Sequence, residues 1–153
     1  PTLTFMRRQS KESALAAWKE TWRKNRRDEN EGNRQRDFSV ANTFEPSLKP
    51  PPHFRRILNR RIYGLVLQCR TGHAFIGEYY QRFVPTEDVA CPCSFPLQTR
   101  KHILLNCPRY NAHRHILNAI SPRHSSTLKD IVGTSDGIKA LAKFIAASGA
   151  FTK

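Results

Sequence analysis

Three cysteines and a histidine fall within seventeen residues, CPCSFPLQTRKHILLNC, as Cys91, Cys93, His102 and Cys107. Written as ligands they read C-x-C-x8-H-x4-C. Three thiolates and one imidazole are the donor set of a tetrahedral zinc site, with Zn–S of about 2.3 Å and Zn–N of about 2.0–2.1 Å. Two other uses are open to these residues. A disulfide can join Cys107 to only one of the first two cysteines, which are themselves too close for an easy mutual bridge. Buried free thiols leave His102 without a role. The donor set favours Zn²⁺, and because protein groups fill all four positions the ion would be structural rather than hydrolytic. Losing it is then expected to unfold part of the surrounding segment. The fourth cysteine, Cys69, lies on an apolar stripe and reads as a small buried hydrophobe.

The elements that position these ligands follow from the pattern on either side. Pro92 constrains the turn carrying Cys91 and Cys93, and Thr99 is a suitable N-cap for a helix bearing His102. On a regular α-helix positions five apart lie about 140° apart in projection, so His102 and Cys107 share no face unless the helix changes before the cysteine. Pro108 biases Cys107 away from helical backbone, and a helix ending near Leu105 or Asn106 would let the thiol swing back.

The helical expectations elsewhere rest on spacing and stop signals. Residues 10–27 read as a helix capped by Ser10, with Leu15, Trp18 and Trp22 on one face. Asp28 to Arg36 has no apolar residue and reads as a joint. Phe38 to Pro52 ends in three prolines and reads as an extended linker. His53 to Cys69 carries a broad apolar stripe, ended by Gly72 in a left-handed cap, and Ala74 to Phe83 follows as a shorter helix. Tyr110–Ile120 reads as a helix with His115 and Ile116 inward. Leu128–Val132 is a helical turn closed by Gly133, and Ser135–Ala147 a helix stopped by Gly149. No stretch alternates as a strand should. The expected fold is all-α, with a basic helical arm at 1–36, a Pro-rich linker at 37–52 and a zinc-stapled helical domain at 53–153.

Lys and Arg number 26 against 12 Asp and Glu, a net charge of +14 in 153 residues. Such an excess points to an anionic partner, nucleic acid before acidic membrane. No apolar run nears the ~20 residues of a membrane span, and the N-terminal residues lack the apolar middle of a signal peptide. An intracellular protein, nuclear or cytoplasmic, is expected; the opening Pro also suits a piece of something longer. Between Lys49 and Arg82 seven basic residues face one carboxylate, Glu78. The candidate phosphate contacts are Arg55, Arg56, Arg60, Arg61, Arg70 and Arg82, with Arg100 and Lys101 beside the ligands. Tyr79, Tyr80 and Tyr110 sit more readily at a core edge than stacked on bases. No carboxylate pair suits two-metal chemistry, no Ser or Cys nucleophile has a recognisable base, and no small-molecule substrate is indicated.

The stretches CRTGHAFIGEYYQRFVP (Cys69 to Pro85), CPC and QTRKHILLNCPRY (Gln98 to Tyr110) resemble the C-terminal tail of fungal non-LTR, LINE-type retrotransposon reverse transcriptases. The resemblance extends to FEPSLKPPPHF and the closing GIKALAKFIAASGAFTK. It implies a position after an RNase H domain, with the family's zinc ligands on Cys91, Cys93, His102 and Cys107. The ligand set and the basic helix together lead to the expectation of a nucleic-acid-binding domain that holds template RNA or target DNA near such a polymerase. The single residue between the first two cysteines is fewer than in zinc knuckles, so knuckle-style RNA recognition does not carry over. The polymerase Asp-Asp motif and RNase H carboxylates are absent, so catalysis would belong to a parent polyprotein. Two other classes of function remain open. One is a protein-interaction module docking on the parent enzyme through Trp18 and Trp22. The other is a secreted, disulfide-bonded basic protein.

Overall fold

A computed structural model of the chain describes residues 2–30, 43–49, 57, 59–120 and 126–152. Among them there are helices and turns and no strand, the all-α class expected from the periodicity. The chain divides into two compact units, Pro1–Arg36 with Phe44–Pro51, and Asp37–Thr43 with Pro52–Lys153.

The first unit is built on α1, Leu3–Asn30. It starts a full two turns before Ser10. The Thr2 hydroxyl accepts the Phe5 N–H at 3.3 Å and the Thr2 carbonyl accepts from Met6, so the earlier cap nucleates the helix. It also runs through Asp28 and Asn30, where composition alone suggests a joint, because propagating a formed helix needs only one more hydrogen bond per residue. Its shielded side is Leu15, Lys19 and Trp22, whereas Trp18 stays 54 % exposed at the edge of that stripe. Glu45 pairs with Lys19 at 3.3 Å and with Arg23 one turn on. Hydrogen bonds from Arg23 and then Lys19 hold its carboxyl below the usual value.

The second unit contains α2 (Arg60–Thr71), α3 (Gly77–Phe83), α4 (His115–Asn118), α5 (Leu128–Gly133) and α6 (Ser135–Ser148). Helix α2 does not continue back to His53: Asn59 is extended, φ −79 and ψ 111, and its side chain caps the Ile62 N–H at 3.1 Å. The rest of that expected stripe, residues 53–56 and 58, lies outside the described residues. At the other end Gly72 takes φ 79 and Gly149 closes α6 at φ 67, left-handed caps read correctly from the sequence. Helix α6 packs on α2, α4 and α5. It buries Ile138, Leu141, Phe144 and Ile145 completely or nearly so, and each such side chain contributes roughly 1.5–3 kcal/mol. A capping box joins Thr127 and Asp130 at the start of α5, and Thr134 caps α6 through the Gly137 N–H at 3.0 Å.

The continuous helix expected over Tyr110–Ile120 is replaced by a 3₁₀ turn, Pro108–His113, followed by the single-turn α4. Three residues per turn shift the register, so Leu117 is the fully buried anchor while His115 faces outward and Ile116 is half-buried. Gly77 opens α3 against the Val89 carbonyl, into which an added Cβ would be driven. That close approach lets the Glu78 N–H donate to Gln98 at 2.9 Å and the Gln98 N–H donate to Val89 at 2.8 Å. The loop carrying the first two cysteines is thereby fastened to the start of α3.

Candidate metal centre

The cysteine loop closes as a tight turn. The Ser94 N–H donates to the Cys91 carbonyl at 2.8 Å and the Cys91 N–H donates to Phe95 at 2.9 Å. Ser94 has φ 72, a left-handed conformation that a non-glycine residue adopts at a cost of about 1–2 kcal/mol. No other described residue of this loop has a positive φ. Pro92 lies within the turn, and Cys91 is buried while Cys93 is half-buried.

The other two ligands come from one helix. Thr99 caps it as expected, its hydroxyl accepting the His102 N–H at 3.0 Å. After Arg100 and Lys101 the helix widens to π geometry over His102–Asn106, and the Cys107 N–H donates to the His102 carbonyl at 2.7 Å. An i→i−5 hydrogen bond brings residues five apart nearly one full turn round, which removes the angular conflict of the H-x4-C spacing. The helix ends at Asn106, and Cys107 is extended (φ −64, ψ 121), as Pro108 requires. Widening of the last turn was not legible from the spacing; termination beside the proline was.

Two arginines hold the ends of this helix, and neither role was anticipated. Arg100 is 4 % exposed, not a member of the basic surface to which it was assigned. Its Nη2 lies 2.6 Å and its Nε 3.0 Å from Glu78 Oε1, its Nη1 donates to the Cys69 carbonyl at 3.1 Å, and its backbone N–H donates to Glu78 Oε2 at 2.8 Å. One carboxylate thus caps the start of the ligand helix while accepting from the guanidinium at the C-terminal end of α2, where a cation is favoured. At the far end Arg114 donates to the Cys107 carbonyl at 2.6 Å and to Leu104 at 3.3 Å, satisfying carbonyls that the helix end leaves open. The only sequence signal for the first pair is opposite charge across 22 residues.

The ligand atoms of Cys91, Cys93, His102 and Cys107 lie within 4.8 Å of one another, a cluster able to hold a metal ion. Cys91 Sγ is 3.7 Å from Cys107 Sγ, far beyond the about 2.05 Å of a disulfide, and Cys93 Sγ is 3.1 Å from His102 Nε2. Phe95 stacks on the His102 ring at 4.3 Å between centroids and 10° between planes. Burial, and then Arg114, lower the His102 pKa and favour the neutral imidazole a metal requires. Burial pushes the Cys107 thiol up to about 11, with Cys93 and Cys91 adding to the rise. For Cys93 desolvation acts upward but is outweighed by the Phe95 backbone and the neighbouring thiols, so its pKa falls. One thiol of the cluster therefore ionises readily and another resists, as crowded like charges do until a cation compensates them. Cys69 is fully buried, stands outside the cluster, and is pushed up to about 12 by desolvation.

The expected phosphate contacts separate. Arg60, Arg61, Arg82 and Lys101 are exposed. Arg70 is half-buried, its Nε donating to the Val132 carbonyl at 2.7 Å, and burial lowers its pKa. Arg55 and Arg56 lie outside the described residues. Tyr80 is buried, Tyr79 packs with Phe83, and Tyr110 meets Phe144 edge-on at 6.0 Å. Tyr80 thus belongs to the core and Tyr110 to its edge, whereas the half-buried Tyr79 packs with the exposed Phe83. No family model, no curated protein and no solved structure matches the chain. No helix among the described residues is long and apolar enough to cross a membrane.

Proposed function

We propose that this chain is a zinc-stapled nucleic-acid-binding module acting beside a LINE-type reverse transcriptase, holding template RNA or target DNA without catalysis of its own. The observation that carries it is the gathering of three thiols and one imidazole within 4.8 Å, in a chain of net charge +14. A zinc tetrahedron with Zn–S of about 2.3 Å has sulfur–sulfur edges of about 3.8 Å. The Cys91–Cys107 separation of 3.7 Å fits that edge. Binding Zn²⁺ to three thiolates leaves the chain strongly basic, so the ion staples the fold while exposed Arg60, Arg61, Arg82 and Lys101 supply charge for phosphate. Proximity to a reverse transcriptase is inferred from the CPC and QTRKHILLNCPRY resemblance.

Elemental analysis of protein purified without added metal tests the first half: about one zinc per chain is expected, and a metal-free folded chain overturns it. Binding to RNA and DNA across a salt series tests the second. Affinity should fall linearly with salt on logarithmic axes, whereas weak, salt-insensitive binding overturns the nucleic-acid reading. A second reading, a module docking on another protein, is favoured by α1, where Leu3, Phe5, Met6 and Trp18 are all more than two-fifths exposed. It predicts that Trp18→Ala abolishes capture of the parent enzyme and leaves nucleic-acid affinity unchanged.

A further inference from the structure

An open groove of about 350 Å³, none of whose lining residues is a metal ligand, is formed by Arg60, Arg61 and Gln68 of α2, Phe75 of the loop before α3, and Thr152 near the chain end. Ligand pockets run from about 300 to 1,000 Å³, so this one has room for a single nucleotide-sized group. Its lining is unlike a solvated face in three respects. Two exposed guanidiniums from the first turn of α2 line it, each a planar fork of donors suited to phosphate. Phe75 is 41 % exposed, an aromatic face that the core leaves uncovered. Gln68 Oε1 is buried and accepts no hydrogen bond among the described residues. A buried acceptor without a donor is costly and uncommon, so turning this amide toward a donor in the groove sacrifices no described contact and removes a penalty.

We propose that this groove binds one nucleotide of a single-stranded nucleic acid, its phosphate on Arg60 and Arg61, its base on Phe75, and its polar edge paired with the Gln68 amide. The proposal rests on the nucleic-acid reading above and deepens it: the bound nucleotide must have an unpaired base, because one already stacked in a duplex cannot lie on Phe75. Sugar and phosphate chemistry common to RNA and DNA satisfies the groove, and Phe75 is not a metal ligand.

The test is fluorescence anisotropy of the full, metal-loaded chain with labelled single strands of about ten uridines or ten deoxythymidines, a length one binding unit can cover. Phe75→Ala should weaken binding of both about ten-fold, with Phe75→Tyr retaining it, while a duplex of equal length is unaffected. Gln68→Leu should weaken single-strand binding yet raise the thermal midpoint, since an apolar group replaces an orphaned acceptor; a merely structural glutamine would give no such opposition of signs. Tighter binding of the uridine strand assigns the source as RNA, and equal binding assigns the shared chemistry. If the wild-type chain binds while Phe75→Ala and Gln68→Leu keep its affinity, the groove is not the site, an acidic peptide becomes its better occupant, and the nucleic-acid reading survives. If the wild-type chain binds neither strand, both readings fall.

Discussion

The two halves of the ligand set are built in different ways. Cys91 and Cys93 sit on a turn closed by two short-range backbone hydrogen bonds and containing the left-handed Ser94. His102 and Cys107 sit on a helix capped by Thr99 and held at its ends by Arg100 and Arg114. The helix half is held by side chains at both of its ends, whereas the turn half is held by backbone hydrogen bonds, its own two and the Gln98–Val89 pair that fastens it to α3. The ion's structural effect should therefore fall mainly on the turn.

Chelation is the strongest way to test that difference, since structural zinc in small domains can contribute about 10–16 kcal/mol. Removing the metal should abolish amide-exchange protection over residues 91–95 and leave much of it over 100–106; equal loss in both halves would break the comparison. Next comes Arg100→Ala, which removes the guanidinium from the part-buried Glu78 and should cost about 2–3 kcal/mol in denaturant unfolding even with metal present. Arg100→Lys should recover only part of this, lacking the planar fork. Arg114→Ala, which strands the Cys107 and Leu104 carbonyls, should cost about 1–3 kcal/mol and lower metal affinity by displacing Cys107. Ser94→Val places a β-branched residue at positive φ and should cost about 1–2 kcal/mol, read as weaker metal retention with the 100–106 protection unchanged.

The scaffold beneath both halves has its own signature in alkali. Burial raises the Cys69 thiol from an ordinary value near 9.0 to about 12 in the folded chain. The unfolded chain therefore loses this proton first as pH rises, and stability is full below about 9 and declines toward 12. By pH 10 the loss from this group should be about 1 kcal/mol. Comparing denaturation midpoints between pH 8 and 10 in wild type and Cys69→Ala measures it; identical slopes would mean that the thiol is not sealed from solvent.

How much was legible in the sequence depended on the range of the interaction. Gly72, Gly149 and the Thr99 cap are decided by neighbouring residues, and each appears where local backbone rules place it. The ligand quartet was legible because metal chemistry limits the donor types. Arg100 was misassigned because its burial depends on Glu78, 22 residues away, and an isolated arginine in a basic stretch looks like surface charge. The start of α1 moved from Ser10 to Leu3 because two adequate caps compete and the outer one, once hydrogen-bonded, includes the inner. The inward face of Tyr110–Ile120 is displaced because the 3₁₀ turn that begins at Pro108 has three residues per turn where an α-helix has about 3.6.

The wide turn between His102 and Cys107 has one more residue than an ordinary helical turn would require. Deleting a single residue from Ile103–Asn106 would restore four-residue spacing, and an α-turn could then carry both donors on one side. The same coordination sphere is therefore open to two spacings, three or four residues between histidine and cysteine, and the choice between them is made by the width of a single helical turn.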